Sequence, residues 1–340
     1  MAYEYAIVIG RFQPFHLAHK QLLDKAYEIA SRVIIILGSH QAAQTSKNPW
    51  TSQERIDMIV SALTEEQNAR TTFLPVRDYL YNENAWLSEI QQKVKVVTNG
   101  SKDIVLVGHL KDDSSYYLNT FPQWEFIETR TTFDLSATDI RRSLFTLLPG
   151  ATWPHVKVPP KVRDYLMKWT ETESFTRLKE EYNYLQDYKA CWAVAPYPVT
   201  FVTADAVVIK SGHVLVVKRG GNPGKGLVAL PGGFVNQNES LDAACLRELK
   251  EETKIKVSTD KLIAARQANH VFDHPQRSLR GRTITHAYLF DLGKEGNLPT
   301  VKGSDDAEEA FWMPIGDVYS NETAFFEDHR SIILYFLGSK

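Results

Sequence analysis

Three carboxylates within two helical turns, set at fixed distances from a glycine pair and an arginine, are the side chains here with the clearest chemistry. The run is Gly233-x5-Glu239-x7-Arg247-Glu248-Leu249-x-Glu251-Glu252. Pro231-Gly232-Gly233 reads as a turn, and Ser240–Glu252 as a helix. At about 100° per residue, Glu248, Glu251 and Glu252 fall within an arc of roughly 100°. Carboxylates that close repel one another unless cations bridge them. Hard oxygen donors on one face suit Mg²⁺ or Mn²⁺. Such ions can shield an anionic group and activate water. A solvated acidic helix is the plainer reading, but Leu241 and Cys245 share this side, so it should face protein. Arg247, four residues before Glu251, is placed to orient the carboxylates.

A second group lies near the N-terminus. Gly10-Arg11-Phe12-Gln-Pro-Phe-His16-Leu-Ala18-His19 follows an apolar run, Tyr5–Ile9, and opens a helix. Backbone N–H groups at such a junction favour phosphate. His16 and His19 would share one helix face, where imidazoles can donate to phosphate oxygens and stabilise charge on a pentacoordinate phosphorus. Arg11 would clamp a further oxygen. A lone HxxH is more often incidental, and zinc would need a third ligand that is not evident nearby. A second patch, Leu135-Ser136-Ala137-Thr138-Asp-Ile140-Arg141, opens another helix. Ser136 and Thr138 can cap it or meet phosphate, and Arg141 lies one turn in.

The elements that must position these residues differ between the two halves. The first alternates: strands at Tyr5–Ile9, Val33–Leu37, Thr72–Val76, Ile104–Val107 and Trp124–Glu128, with helices at Leu17–Ala30, from Thr51 to about Leu63, Ala85–Val97 and Ser136–Leu147. Thr51-Ser-Gln-Glu54 is a capping box. This rhythm predicts an α/β fold with a doubly wound parallel sheet, whose ligands sit at the carboxyl ends of the strands. A charged, aromatic helical stretch follows from Pro159-Pro160 to about Tyr188. The second half is α+β: strands at Val199–Ile209, Val214–Lys218, Thr283–Asp291 and Ala310–Met313 around the helix Ser240–Thr253. The expected division is a first domain over 1–188, a linker over 189–198 and a second domain over 199–340. A length of 340 residues suits two domains of ordinary size.

Composition excludes more than it identifies. Net charge is −2, which gives no global bias toward nucleic acid or anionic membranes, so anionic ligands must be held locally. Two cysteines without a CxxC pair indicate neither a disulfide scaffold nor a zinc site. The N-terminus does not read as a signal peptide, and the most apolar run, Val33–Leu37, is far too short to span a bilayer. The expectation is a cytoplasmic protein with no nucleic-acid or membrane partner. Oligomeric state stays open, a homo-oligomer among the options.

Together, the stretches Gly10–His19 and Leu135–Arg141 resemble the two signatures of the HxGH nucleotidyltransferases. The form GRFQPFH, with Gly38-Ser39 and Lys47-Asn-Pro-Trp-Thr-Ser-Gln-Glu-Arg55, is similar to archaeal-type nicotinamide mononucleotide (NMN) adenylyltransferases. The carboxylate run resembles the Nudix box. Over nearly the full chain the likeness is to bifunctional NMN adenylyltransferase/Nudix hydrolases. That resemblance implies a nucleotidyltransferase domain followed by a Nudix-fold domain, with ATP, NMN and ADP-ribose as substrates. It implies ATP-phosphate contacts from Gly10, Arg11, Phe12, His16, His19, Ser136, Thr138 and Arg141, with Mg²⁺ travelling on the ATP. Asp78 and Trp86 would take the nicotinamide end, a pyridinium being attracted to an indole face. Simple helix packing is the other reading of Trp86. Glu248, Glu251 and Glu252 would hold Mg²⁺ or Mn²⁺, with Gly232, Gly233, Glu239 and Arg247 shaping the loop and orienting the ligands; Glu251 and Glu252 would be catalytic. Ala18, Ala137 and Lys254 depart from the family patterns. Arg277, Arg280 and Arg282 are open to diphosphate binding or to a solvated basic loop. The acidic loop of Asp305, Asp306, Glu308 and Glu309 is open to a general base, a further metal ligand or a solvated charge run. Still open are another phosphate monoester in place of NMN, another nucleoside diphosphate in place of ADP-ribose, and a ligand-sensing or purely structural second domain.

Overall fold

The computed structural model describes residues 2–110, 113–129, 135–148, 151, 153 and 157–338. The chain forms two compact units, Met1–Lys179 and Glu180–Lys340.

In the first unit the β-branched runs become strands β1 (Tyr3–Gly10), β2 (Ala30–Leu37), β3 (Thr71–Pro75), β4 (Ile104–Gly108) and β5 (Glu125–Glu128). All neighbours pair in parallel, in the order β3-β2-β1-β4-β5. Between them run α1 (Leu17–Ile29), α2 (Ser52–Ser61), α3 (Glu65–Ala69), α4 (Glu83–Val97), α5 (Ala137–Phe145) and α6 (Pro160–Trp169). Alternation along β1 divides its residues between the faces. Tyr5, Ile7 and Ile9 pack with Ile90 and Val94 of α4. Chain order reverses at the β1/β4 boundary, so a crevice belongs at the carboxyl end of β1, beside Gly10. The Thr51/Glu54 capping box forms as expected. A second box, Thr64 with Gln67, starts α3, whose five residues are too short to show periodicity in the sequence.

Helix α7 (Glu173–Trp192) continues through residues 189–192, which the sequence places in a linker. The division falls earlier, at Lys179/Glu180. The physical reason is aromatic: Tyr188 and Trp192 pack on Phe201 at 5.7 and 5.2 Å, tying the end of α7 into the second unit.

The second unit is built on β6 (Thr200–Lys210), β7 (His213–Arg219), β8 (Val228–Ala229), β9 (Gly232–Phe234), β10 (Arg266–Phe272), β11 (Arg282–Asp291) and β12 (Ala307–Pro314). The main path is β10-β11-β6-β7-β12, with β8 on β7 and β9 on β6. Only β11 and β6 pair in parallel. The helices are α8 (Leu241–Thr253), α9 (Thr259–Ala264), α10 (Ile315–Ser320) and α11 (His329–Phe336). Ala244, Cys245 and Leu249 of α8 bury against Ala204, Ala206 and Val208 of β6, which fixes the opposite face of α8 for other work. β10 carried no apolar signal because it is an edge strand with six of seven residues exposed. Among the described residues no helix is long and apolar enough to cross a membrane.

Lys254 caps α8 in the left-handed region, at φ 46° and ψ 29°. A side chain there costs about 1–2 kcal/mol, whereas glycine costs roughly 0.5–1 kcal/mol in unfolded-state entropy. Steric relief wins, so Lys254→Gly should stabilise the second unit by up to about 1 kcal/mol. A thermal melt should show its transition moving upward.

Candidate active sites

In the first unit, one buried guanidinium gathers the loops around the crevice. Arg55, fully buried on α2, donates to Arg11 O and Gly38 O, both at 2.7 Å, and to Ser39 O at 3.3 Å. These carbonyls lie just beyond β1 and β2. Burial brings Arg55 down to about 10, yet the carbonyls supply the partners a buried cation requires. Gln13 adds a second tie, donating to Trp50 O at 2.8 Å and accepting from Trp50 N at 3.1 Å. Phe12 has φ 53° and turns its buried ring beneath Gly10, where an added Cβ would meet that ring at 2.9 Å. Phe12 thus shapes the turn with its backbone and its ring together.

His16 is the N-cap of α1 rather than a residue of its first turn, and its Nδ1 accepts from His19 N at 3.4 Å. The two rings stack at 3.6 Å. Phe12 packs edge-on to His19 at 4.8 Å. Burial, then the nearby His16, holds His19 well below the usual histidine range, so it is neutral. His19 Nδ1 is buried with no hydrogen-bond partner within the protein. A neutral imidazole with an unsatisfied buried nitrogen is a ready partner for an incoming polar ligand.

Cations cluster beside this pair. Arg141, on α5, donates to Gln13 O at 2.6 Å and to Thr138 Oγ1 at 3.1 Å. Burial and then Arg11 lower it to about 10. Lys47 is brought to about 8 by burial, then by Arg11, with Arg141 adding and Asp78 opposing. Three cations thus share one partly dehydrated neighbourhood, an arrangement that favours a polyanion. The sequence motifs supplied Arg11 and Arg141 but left Lys47 without a role, since only the fold carries residue 47 to the crevice. Ser136 caps α5 by accepting from Thr138 N, so its plain capping role is realised. Asp78 accepts from Ser39 N at 3.0 Å and Ser39 Oγ at 2.6 Å. Trp86 is half-buried against Tyr117 and Phe121, each at 5.9 Å. Packing therefore accounts for part of Trp86. Ala18 is buried in α1, and Ala137 is the first residue of α5.

In the second unit, Arg247 organises the carboxylates. It donates to both oxygens of Glu239 at 2.6 and 3.0 Å, to Glu248 at 2.7 Å and to Glu251 at 3.0 Å. A further bond reaches Phe234 O at 3.1 Å. These bonds hold Glu239 down at about 2, and Asn236 N adds to the effect. Glu252 points inward, accepting from Gly232 N at 3.0 Å, and burial pushes it up to about 8. Burial also raises Glu248. Gly233 has no side chain because a Cβ would meet the Glu248 carboxylate at 2.6 Å; at Gly232 it would meet Asp205 at 2.2 Å. Among the described residues no three acidic, His or Cys side chains already converge on one point, since Arg247 draws Glu248 and Glu251 toward itself. The donor set nonetheless suits a divalent cation. All three carry hard carboxylate oxygens, and Glu252, pushed up by burial, would regain its charged form beside an ion.

The flanking charges separate by environment. Arg277 is locked in a buried pair with Asp328, 2.8 Å at both contacts, which makes it structural. Arg282 bonds Asp273 at the surface. Arg280 is half-buried with Glu327 at 3.8 Å, and Glu308 pairs with Lys218 at 3.2 Å.

These features define a nucleotidyltransferase-like α/β unit joined to a Nudix-type unit. The cytidylyltransferase-like family model matches residues 7–143, and the NUDIX domain model matches residues 199–336. The nicotinamide/nicotinic acid mononucleotide adenylyltransferase of Acinetobacter baylyi is 33% identical over 183 residues, 53% of this chain and 94% of that protein. The ADP-ribose pyrophosphatase of Methanocaldococcus jannaschii is 35% identical over 133 residues, 39% of this chain and 70% of that protein. A solved structure of a bifunctional NMN adenylyltransferase/ADP ribose pyrophosphatase from Francisella tularensis, complexed with AMP and a manganese ion, superposes with a TM-score of 0.93 at 35% identity, covering 99% of each chain. The chain belongs to this family of bifunctional NMN adenylyltransferase/ADP-ribose pyrophosphatases.

The Lys47 environment sets a pH dependence. Lys47 carries charge below about pH 8 and loses it as pH rises through that value. Affinity for inorganic tripolyphosphate, measured by calorimetry, should fall above about pH 8. Lys47→Arg should hold its affinity over the same range, because arginine stays protonated. An identical pH profile for both proteins would refute the assignment.

Proposed function

We propose that the chain catalyses two reactions of NAD metabolism, one in each unit. In the first, a phosphate oxygen of NMN attacks the α-phosphorus of ATP. The new P–O bond forms as the bond to the bridging oxygen breaks, giving NAD and pyrophosphate. In the second, water cleaves the diphosphate of ADP-ribose to AMP and ribose 5-phosphate. The observation that carries this reading is the opposed charge of the two sites: cations around a stacked histidine pair in one, carboxylates on one helix face in the other.

Adenylyl transfer needs little covalent chemistry from the protein, so alignment and charge neutralisation dominate. Arg11, Lys47 and Arg141 would bind the triphosphate, which enters as its Mg²⁺ complex. His16 and His19 would donate to oxygens around the α-phosphorus as charge builds there. Backbone N–H groups of the Gly10–Phe12 turn, and the Ser136 and Thr138 hydroxyls, would complete the cradle. Asp78, already fixed by Ser39, would orient the nicotinamide end, and the exposed part of Trp86 would stack on the pyridinium.

In the second unit Glu248, Glu251 and Glu252 would hold Mg²⁺ or Mn²⁺. When bound, such a cation shields the diphosphate and activates water. Arg247 keeps Glu248 and Glu251 oriented toward a common side, and Glu239 anchors Arg247 to the loop. Gly232 N fixes the inward carboxylate, Glu252.

Two assays on one preparation test the reading. Wild type should form NAD from NMN and ATP, and release AMP from ADP-ribose with Mg²⁺ or Mn²⁺. Glu252→Gln should lower AMP release by about a hundredfold or more, the several kcal/mol of stabilisation that a metal site supplies, and leave NAD formation intact. His19→Ala should do the reverse, lowering NAD formation by about a hundredfold or more. Loss of both activities in either variant, or no AMP from wild type, would count against it.

A further inference from the structure

A cavity of about 470 Å³ opens in the second unit between the end of β6, the start of α9 and the segment after β11. None of its lining residues belongs to the carboxylate motif. Its volume lies in the range that takes a small molecule. Three lysines line it, Lys210, Lys256 and Lys261, against one carboxylate residue, Glu295. The whole chain carries a net charge of −2, so this is a local reversal of sign.

A solvated basic face would explain exposed lysines, but Lys210 is only 6% exposed. Its Nζ donates to Glu295 O at 2.5 Å and Leu292 O at 3.4 Å. Both acceptors are neutral carbonyls, and an ammonium has three donors, so its charge is uncancelled and one N–H is left. Burying a cation in that state is costly unless an anion arrives to share it. Lys256 and Lys261 are exposed at the rim, free to close on such an anion. The rest of the lining is different in kind. Val257, Leu298 and Pro299 give an apolar wall, and Pro299 O is held by Trp312 Nε1 at 2.8 Å. Charge on one side and a fixed apolar wall on the other match a phosphate joined to a flat ring. The wall also leads back to the carboxylate helix. Lys256 N donates to Thr300 O at 3.1 Å, Lys302 N to Thr253 O at 2.8 Å and Ser304 N to Glu252 O at 3.1 Å. The segment that borders the cavity is therefore laced by backbone bonds to the end of α8.

We propose that this cavity is a separate binding site for a nucleoside monophosphate. The phosphate meets Lys210, Lys256 and Lys261, and the base lies on Leu298 and Pro299. Occupancy would steady residues 299–304 and, through Ser304 N, the backbone of Glu252. The assignment does not depend on which diphosphate the carboxylate site cleaves.

The test uses AMP as the probe on the full chain, with a chelator present so that no divalent cation occupies the carboxylate site. Lysines are acetylated and the extent at each is read by mass spectrometry. AMP at about ten times its Kd should slow labelling of Lys256 and Lys261 by about tenfold, the drop in the free fraction. Exposed Lys168 in the first unit should label as before. Hydrogen exchange then gives the affinity, through slowing of the Lys302 and Ser304 amides as AMP is added. The double variant Lys256→Gln, Lys261→Gln changes only exposed side chains and should weaken AMP by about tenfold or more, the worth of charge-assisted hydrogen bonds. Glu295→Gln should tighten it by about twofold, since the opposing carboxylate is removed. Equal labelling of Lys256 and Lys261 with and without AMP would overturn the proposal. So would slowed exchange that persists unchanged in the double variant, which would put AMP at the carboxylate face instead.

Discussion

Crowded like charge is the constraint on which both units depend. The first places Arg11, Lys47 and Arg141 together, and the second places Glu248, Glu251 and Glu252 on adjoining turns. Neither arrangement is favourable without a framework, because each brings like charges together where water is partly excluded. Burial first, and like charge after it, brings Lys47 down to about 8 and pushes Glu252 up to about 8. Such a cluster persists only if the surrounding framework holds it, and its ligand then relieves it. Opposite charge thus gathers in the two units, positive in one and negative in the other.

The two frameworks solve the problem by different means. In the first, the cluster sits where a parallel sheet reverses its strand order, and one buried guanidinium, Arg55, binds the carbonyls of the converging loops. Arg55 is hydrogen-bonded to neutral backbone, so it stiffens the crevice without cancelling its charge. In the second, the holder is itself a counter-charge. Arg247 bridges Glu239, Glu248 and Glu251 and orients them. Glycines 232 and 233 are necessary because the carboxylates approach the backbone too closely for any Cβ.

Much of the fold was legible in the sequence, for identifiable reasons. The inner strands of the first sheet, β1, β2 and β4, are apolar or β-branched runs, and the Thr51/Glu54 box marks its helix. Elements without such marks went unseen. α3 is too short to display a period, and β10 is an edge strand that buries only Phe272. The packing of Tyr188 and Trp192 on Phe201 is a tertiary contact without a local signature, so the sequence does not show where the end of α7 is held.

By itself the sequence determined the two chemistries. The carboxylates and Arg247 are fixed by helical spacing, and the two histidines by their place after the first strand; both are local relations that a linear chain records. Only the tertiary structure decided which distant charges join them. Lys47 reaches the crevice through the fold of the loop between β2 and α2, and Arg219 reaches Phe326 from the far end of the second unit's sequence. Tertiary packing likewise separated Arg277 from Arg280, which stand three residues apart. The difference is in partners: one guanidinium meets Asp328 inside the core, while the other lies by aromatic rings with Glu327 at 3.8 Å. Spacing cannot record compensation, because the partner that cancels a charge lies elsewhere in the chain.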